Sequence, residues 1–427
     1  MTWAMLGVFL LLMVFGTPLF VSLLAAGIAG FVWIGDPSMF RLAVQQFFDG
    51  MDVFTLMAIP FFILAGTLMN HAGLTDRLLV LCRALVGYFR GGLGYVNVVA
   101  SILFAGVNGS AAADSSALGS ILIPAMEKDG FTRSYAAGLT AGSSLIGPII
   151  PPSIFMILYG TMTGTSIGGL FVAGVVPGLV LGLAFMTLNG LHARRAGFQP
   201  TGARFSVPAV GRALVYSIPA LIAPVIILGG IIAGVVTPTE SGALAVAYVV
   251  LAGFLMTRQL TLTALTRSIG ETARLTSAIF LIIGAAAVIG WLLTFNQVPQ
   301  QFATFVLGFA QDPLLVLLIL SAITFVIGMF MEEIAALVLL TPVFAPIATV
   351  AGIDPFHFGI VMTLNITIAL ITPPMGACVY IVSAVGKVPL ADLFQSIWPF
   401  VATAIVALLA IIAIPAITTS LPAILGF

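Results

Sequence analysis

The sequence predicts an all-α polytopic membrane protein: two inverted-topology repeats, each with a re-entrant helical hairpin and a Pro-Pro broken helix. Three observations predict this. Of the 427 residues, 61% are hydrophobic and only 7% charged, and apolar runs of about 20 residues, the length a membrane-crossing helix needs, recur along the whole chain. A Pro-Pro pair appears twice inside apolar sequence, as Ile149-Ile150-Pro151-Pro152-Ser153 and Ile371-Thr372-Pro373-Pro374-Met375, with Gly147 and Gly376 close by. Lys and Arg, which collect on the cytoplasmic side, mark opposite loops in the two halves.

Composition excludes several classes. Formal net charge is zero, which gives no basis for nucleic-acid binding. Cys82 and Cys378 carry no motif and read as small apolar residues. His71, His192 and His357 lack metal-ligand spacing. The N-terminal Met1-Thr2-Trp3 has no basic region, so no cleaved signal peptide is expected. No stretch is polar and long enough to fold as a soluble receptor or nucleotide-hydrolysing domain.

The repeat is read from spacing. Pro151 and Pro373 are 222 positions apart (373 − 151). Pro124 matches Pro346 and Pro177 matches Pro399 at that offset, and Thr17-Pro18 matches Thr237-Pro238 two residues short of it. Residues 1–205 and 211–427 are therefore expected to be one duplicated unit, joined by the polar stretch 192–212. Arg194, Arg195, Arg204 and Arg212 place that stretch in the cytoplasm. Apolar spans at about 214–235 and 239–256 return the chain to a cytoplasmic loop at 258–274, with Arg258, Arg267 and Arg274. A span at about 276–295 leads out to a loop at 296–312 without basic residues. In the first half the matching loops are 36–49, with only Arg41, and the basic 83–92. Basic loops of one half match poor loops of the other, as an inverted repeat requires. Both termini then lie outside, and Arg41 is the one basic residue of fourteen outside.

Residues 94–127 run between two basic loops, broken by Gly106-Val107-Asn108-Gly109-Ser110. Each arm is roughly 12–17 residues, or about 18–25 Å, short of a ~30 Å core. This reads as a hairpin whose tip stops near mid-membrane. Its partner is 313–349, with the tip at Gly328-Met329-Phe330-Met331-Glu332. Each hairpin precedes a helix, 134–163 or 356–386, that Pro-Pro must break, because proline removes donors and forces the preceding residue out of helical geometry. Broken backbone survives at membrane depth only inside protein or beside a cavity, and paired broken helices mark a transporter's binding site.

Unwound backbone and half-helix C-termini offer oxygens to a hard, singly charged cation such as sodium, while half-helix N-termini attract a carboxylate. The cation candidates of the first half are Asn108 and Ser110 with the carbonyls of Gly147, Ile150 and Pro152, and Ser143 and Ser144 lie one turn earlier. Those of the second are Gly328 and Glu332 with the carbonyls of Ala369, Thr372 and Pro374. A merely kinked, packed helix is the competing reading of either copy alone. Asp114, Glu240, Glu332 and Glu333 read as acids in the apolar zone, where ionisable groups are functional by default. Asp114 can orient the tip, coordinate a cation, or cap and brace the helix. Glu240 reads as a helix-start cap and dipole partner. No Lys or His stands at that depth beside these acids, so a proton relay has little support.

These residues resemble the large membrane subunit of tripartite ATP-independent periplasmic (TRAP) transporters, the DctM-like family, over essentially the whole chain. The match is carried by Gly106 to Asp114, Ile123-Pro124-Ala125-Met126, Ser144 to Ser153, Thr237-Pro238-Thr239-Glu240, Met329-Phe330-Met331-Glu332 and Ile371 to Gly376. The resemblance implies a sodium-driven importer of an organic acid, such as a C4-dicarboxylate or a sialic or sugar acid, in the bacterial inner membrane. It implies a small four-helix (DctQ-like) membrane subunit and a periplasmic (DctP-like) binding protein as partners. It also implies a scaffold, a mobile elevator-type transport domain, and at least two sodium sites where tips meet breaks. Asn108 stands where the family commonly has serine, Glu332 where aspartate, and Cys378 where a small polar residue or asparagine. The scaffold is expected at about 1–75 and 211–295 plus the last span of each half. The acid's carboxylate is expected between the tips, at Ser110, Asp114 and the half-helix starts Ser153 and Gly376. Competing readings are a standalone sodium/dicarboxylate symporter, a channel, and a membrane-embedded enzyme, the last lacking the clustered acids with His or Arg that it needs.

Overall fold

The computed structural model describes residues 1–199 and 205–427, with backbone alone at Val107 and Asn108. It is all-helical, with no strand among the described residues. Six of these helices are each long and apolar enough to cross a membrane, and a seventh span arises if the helices Leu390–Ser396 and Trp398–Ala413, bent by 41°, act as one. The chain is a multi-pass membrane protein.

Local chemistry starts many of the helices. Ser110, Thr132, Ser153, Ser166 and Ser206 each place a side-chain oxygen on a first-turn N–H. Asp312 and Asp354 do the same, with Pro313 and Pro355 in the first helical position. Thr237 and Glu240 form a full capping box, Glu240 Oε2 accepting from the Thr237 N–H at 2.8 Å. Glu240 is exposed there, so it is the partner of the cap, not a buried acid.

The outer helices pack across the halves. Pro238–Leu251 lies on Ala58–His71, Val207–Ile232 on Leu74–Val86, and Leu262–Phe295 on both Leu19–Ile34 and Phe40–Met51. Three expected loops are helical. Leu262–Phe295 is one helix of 34 residues, about 51 Å at 1.5 Å per residue and longer than a ~30 Å core. Arg267 and Arg274 lie inside it, Arg267 bonded one turn on to Glu271 at 2.9 Å. Its charges mark a helix running past the apolar zone, not a loop. The stretch 36–49 likewise holds a short turn and the helix Phe40–Met51, and 296–312 holds Val298–Phe309. Both helices alternate polar and apolar faces, which a count of charges does not register.

Inside these lie the two hairpins and the two broken helices. The first hairpin is Gly92–Asn108 and Ala111–Lys128, and the second is Pro313–Gly328 and Glu333–Val350. The first broken helix is Arg133–Ser144 and Ile154–Thr163, and the second is Pro355–Ala369 and Ala377–Gly386. Contacts cross between halves in a reciprocal pattern. Ala111–Lys128 packs on Ala377–Gly386, and Glu333–Val350 packs on Ile154–Thr163. An apolar cavity of about 690 Å³ lies between Thr2–Val14 and the second hairpin, lined by residues such as Met5, Phe9, Leu293, Phe330 and Phe344. It offers a carboxylate no partner and is separate from the breaks.

Candidate ion-binding junctions and their relatives

Each hairpin tip is seated on the break of its own half. In the first half, Gly109 turns the chain with φ +57°, and a Cβ there would collide with the Pro152 carbonyl oxygen. A Cβ on Gly147 would stand 2.8 Å from Asp114 Oδ2 and 3.4 Å from the Ser110 carbonyl carbon. Only glycine lets the backbones come this close. In the second half, a Cβ on Gly328 would stand 3.0 Å from Ala369 Cβ.

The first break is a run of turns. Leu145, Ile146 and Gly147 N–H groups donate to Gly142, Ser143 and Ser144 at 3.2, 3.1 and 3.0 Å. The Pro151-Pro152 bond is cis. Among the described residues no hydrogen bond reaches the carbonyls of Gly147, Ile150 or Pro152. Buried carbonyls are almost always partnered, so three in one break are a set of ready acceptors. The whole segment 145–153 is buried.

The second break also contains a cis Pro373-Pro374 bond. Its carbonyls are more fully used: Ala369 accepts from Thr372 N–H at 3.0 Å and Pro374 from the Tyr380 hydroxyl at 3.4 Å. The Thr372 and Gly328 carbonyls receive no hydrogen bond among the described residues. The Thr372 hydroxyl donates back to Ile368 at 2.8 Å. This junction is open: Met375 is 48% and Phe330 54% exposed.

The side chains expected to act divide clearly. Ser110 is half-buried at the tip and caps its helix through Ala113 N–H at 3.4 Å. Asp114 is buried in the first turn after the tip. The Asn108 side chain lies outside the described residues. Ser153 is enclosed, donating to the Pro148 carbonyl and accepting from Met156 N–H at 3.4 Å; its hydroxyl is committed to restarting the helix. Gly376, with φ +49°, restarts the second one, its carbonyl accepting from Val379 N–H at 2.7 Å. Glu332 is exposed and spent as a cap, accepting from Ala335 N–H at 3.0 Å. Glu333 beside it is half-buried, and its Oε2 has no hydrogen-bond partner among the described residues.

Of a polar set behind the first break, the sequence reading singles out Ser143 and Ser144 and misses Asn97, Ser101, Ser115 and Thr140. Asn97 Nδ2 donates to Thr140 Oγ1 at 2.7 Å, Ser143 Oγ to Asn97 Oδ1 at 3.1 Å, and Ser101 Oγ to Ser143 Oγ at 3.0 Å. Ser115 and Ser144 hydroxyls meet at 2.7 Å. The available signal was one-turn spacing of polar residues, Asn97 with Ser101 and Thr140 with Ser143 and Ser144, on two apolar helices.

The structure is similar to that of the YdaH transporter of Alcanivorax borkumensis, with TM-score 0.62, 15% identity and 89% of each chain covered. It is also similar to MtrF of Neisseria gonorrhoeae, with TM-score 0.62, 14% identity, and 88% of this chain and 83% of that one covered. At such identities the likeness is one of fold.

Residues 6–417 match the family described as tripartite ATP-independent periplasmic transporter, DctM component. The sialic acid TRAP transporter large permease protein SiaM of Vibrio cholerae is 38% identical, with 95% of both chains covered. The C4-dicarboxylate TRAP transporter large permease protein DctM of Pseudomonas aeruginosa is 37% identical, covering 92% of this chain and 91% of its own. The chain belongs to the DctM family of TRAP transporter large permease components, and it is a transporter component, not an enzyme.

Proposed function

We propose that the chain is the transporting subunit of a sodium-coupled importer of an organic acid, with one sodium site at each tip-to-break junction. The observation that carries this is the first junction: three buried carbonyls that no hydrogen bond reaches among the described residues, at a glycine tip followed by Asp114. Among the described residues no group of three or more His, Cys, Asp or Glu side chains could hold a metal ion. The donors at the first junction are mainly neutral oxygens, with Asp114 the carboxylate beside Gly147, a set that suits a weakly bound monovalent cation. The residues that would hold sodium are Ser110, Gly147, Ile150 and Pro152 in the first half, and Gly328 and Thr372 in the second. Asn108, Ala369 and Pro374 are also assigned there by position. Glu332, occupied as a cap, is a weaker ligand than the carbonyls around it.

The acid is a carboxylate of the kind named for the relatives, a C4-dicarboxylate or a sialic or sugar acid. Its carboxylate would be held by Ser110, the N–H groups after the tip, and the helix start at Gly376, where the helix dipole favours an anion. Residues 1–205 and 211–427 would be inverted repeats, a reading supported by the reciprocal packing of the hairpins and broken helices. The hairpins and broken helices would move as one body past the outer helices. Sodium drives that motion only by binding one state more tightly than the other. The family's tripartite name supports a small membrane subunit and a periplasmic binding protein as partners in the inner membrane, with both termini of this chain on the periplasmic side.

The test is uptake of a radiolabelled acid into vesicles holding this chain and its small subunit, under an inward sodium gradient. Uptake requiring both the gradient and the cognate binding protein supports the reading. Uptake without the binding protein supports a standalone symporter, and uptake driven equally by potassium refutes sodium coupling.

A further inference from the structure

The two junctions are built differently, and the difference lies behind them. In the first half a buried hydrogen-bonded set ties both arms of the hairpin to the helix that enters the break. Asn97 and Ser101, on the incoming arm, hold Thr140 and Ser143. Ser115, on the outgoing arm, holds Ser144. All six are at most 1% exposed.

The second half supplies an internal control. At the positions 222 residues on, Asn97, Ser101, Thr140, Ser144 and Ser115 become Ile319, Ile323, Met362, Ile366 and Leu337. Only Ser143 finds a polar counterpart, Asn365, whose Nδ2 donates to Ser321 Oγ at 3.0 Å. At these five positions the second half is apolar, and its buried polar groups, among them Ser321, Thr324, Thr341, Thr363 and Asn365, stand elsewhere on the same helices. Packing alone does not call for the polar set, and polar groups at membrane depth are unfavourable unless partnered. The set coincides with the sealed junction, and its absence with the open one, where Pro374 and Met375 are exposed.

We infer that Asn97, Thr140 and Ser143, with Ser101 and the Ser115–Ser144 pair, form a brace that pre-assembles the first ion site, so that sodium fills it before the second. These are positioning residues. They sit behind the break and hold the tip and the Gly147 turn at their bound separation, so ion binding need not order them. The second site, braced among the described residues by the Asn365–Ser321 bond and a long Thr341–Met362 contact at 3.8 Å, closes as the ion arrives and binds it more weakly. This rests on the sodium reading above.

The experiment is a sodium titration of thermal stability on the full purified chain, with uptake measured in parallel. The main variant is Asn97→Leu with Thr140→Val, which removes both partners of one bond; Ser143, which loses Asn97 Oδ1, keeps the Thr140 carbonyl at 3.3 Å and Ser101 at 3.0 Å. Hydrogen bonds between membrane helices shift equilibria by roughly threefold to eighteenfold. The expected result is a rise of that size in the sodium concentration for half-maximal stabilisation, with the sodium-free melting temperature and the maximal uptake rate at saturating sodium retained. Ser101→Ala, which loses one edge bond, gives a smaller rise and serves if the double variant does not fold. Thr341→Val, in the outgoing arm of the second hairpin, leaves the tighter phase unmoved. A folded brace variant with wild-type half-saturation overturns the inference alone. A wild-type chain with no sodium-specific response overturns the sodium reading and this inference together.

Discussion

Replacing Gly109 with alanine should separate the first tip from its break. Two effects add. The residue is left-handed, at φ +57°, and a side chain in that conformation costs about 1–2 kcal/mol. The new methyl also runs into the Pro152 carbonyl and comes within 3.2 Å of Ser153 Cα. Both are backbone atoms of a buried segment and cannot rotate away, so an overpacking cost of about 1–3 kcal/mol applies. The total, about 2–5 kcal/mol, weakens closure of the junction by roughly thirtyfold or more. The assay is the sodium concentration for half-maximal thermal stabilisation, alongside initial uptake rates. Gly130→Ala is the control: it carries the same kind of backbone cost, at φ +96°, but among the described residues its Cβ meets only Phe198, at 3.7 Å. Gly130→Ala should lower stability and leave sodium half-saturation alone. If Gly109→Ala instead kept wild-type half-saturation, the tip would not be part of an ion site.

Other outcomes follow from the same geometry. Gly328→Ala brings one methyl within 3.0 Å of another, on Ala369, so a shift of a few tenths of an ångström relieves it and sodium half-saturation should move by less than about threefold. Ser110→Ala removes the cap on Ala113 N–H, and melting in sodium-free buffer should fall by the equivalent of about 1 kcal/mol, with a further loss of sodium stabilisation. Thr237→Ala breaks an exposed capping box; it should cost about 1 kcal/mol of stability and leave the sodium dependence of uptake unchanged. Cys82 and Cys378 are both buried, so a polar maleimide should label neither in the folded protein and both after denaturation, as mass spectrometry would report.

Much of the architecture was legible because prolines and glycines constrain backbone wherever they sit. The two Pro-Pro pairs, the Gly109 turn and the Gly328 tip lie at helix interruptions, and the chain passes from helix to helix where Ser110, Ser153 and Asp354 offer caps. The misread segments differ in cause: 36–49 and 296–312 hold two-faced helices, and 258–274 holds a charged helix start. In 258–274 charge reads as loop, which holds for Arg258, but Thr261 caps a helix whose early turns carry Arg267 and Arg274 on an exposed face. Side-chain roles at the junctions were less legible. Ser153 and Glu332 are oxygen-bearing residues at the right places, but both oxygens are spent on helix starts, and only coordinates reveal that. The Asn97–Thr140–Ser143 set joins residues more than forty positions apart, and no local pattern announces such a pairing.

The measurement that bears most directly on the central claim is thermal unfolding of the purified chain in sodium against choline at equal ionic strength. A ligand bound only by the folded state stabilises it by RT ln(1 + [L]/Kd), about 2.7 kcal/mol at roughly 100 times Kd. Two ion sites at the tip-to-break junctions predict a rise specific to sodium, largely lost in Gly109→Ala and reduced by substitution at Thr372. A folded, monodisperse sample that melts identically in the two salts would contradict the account.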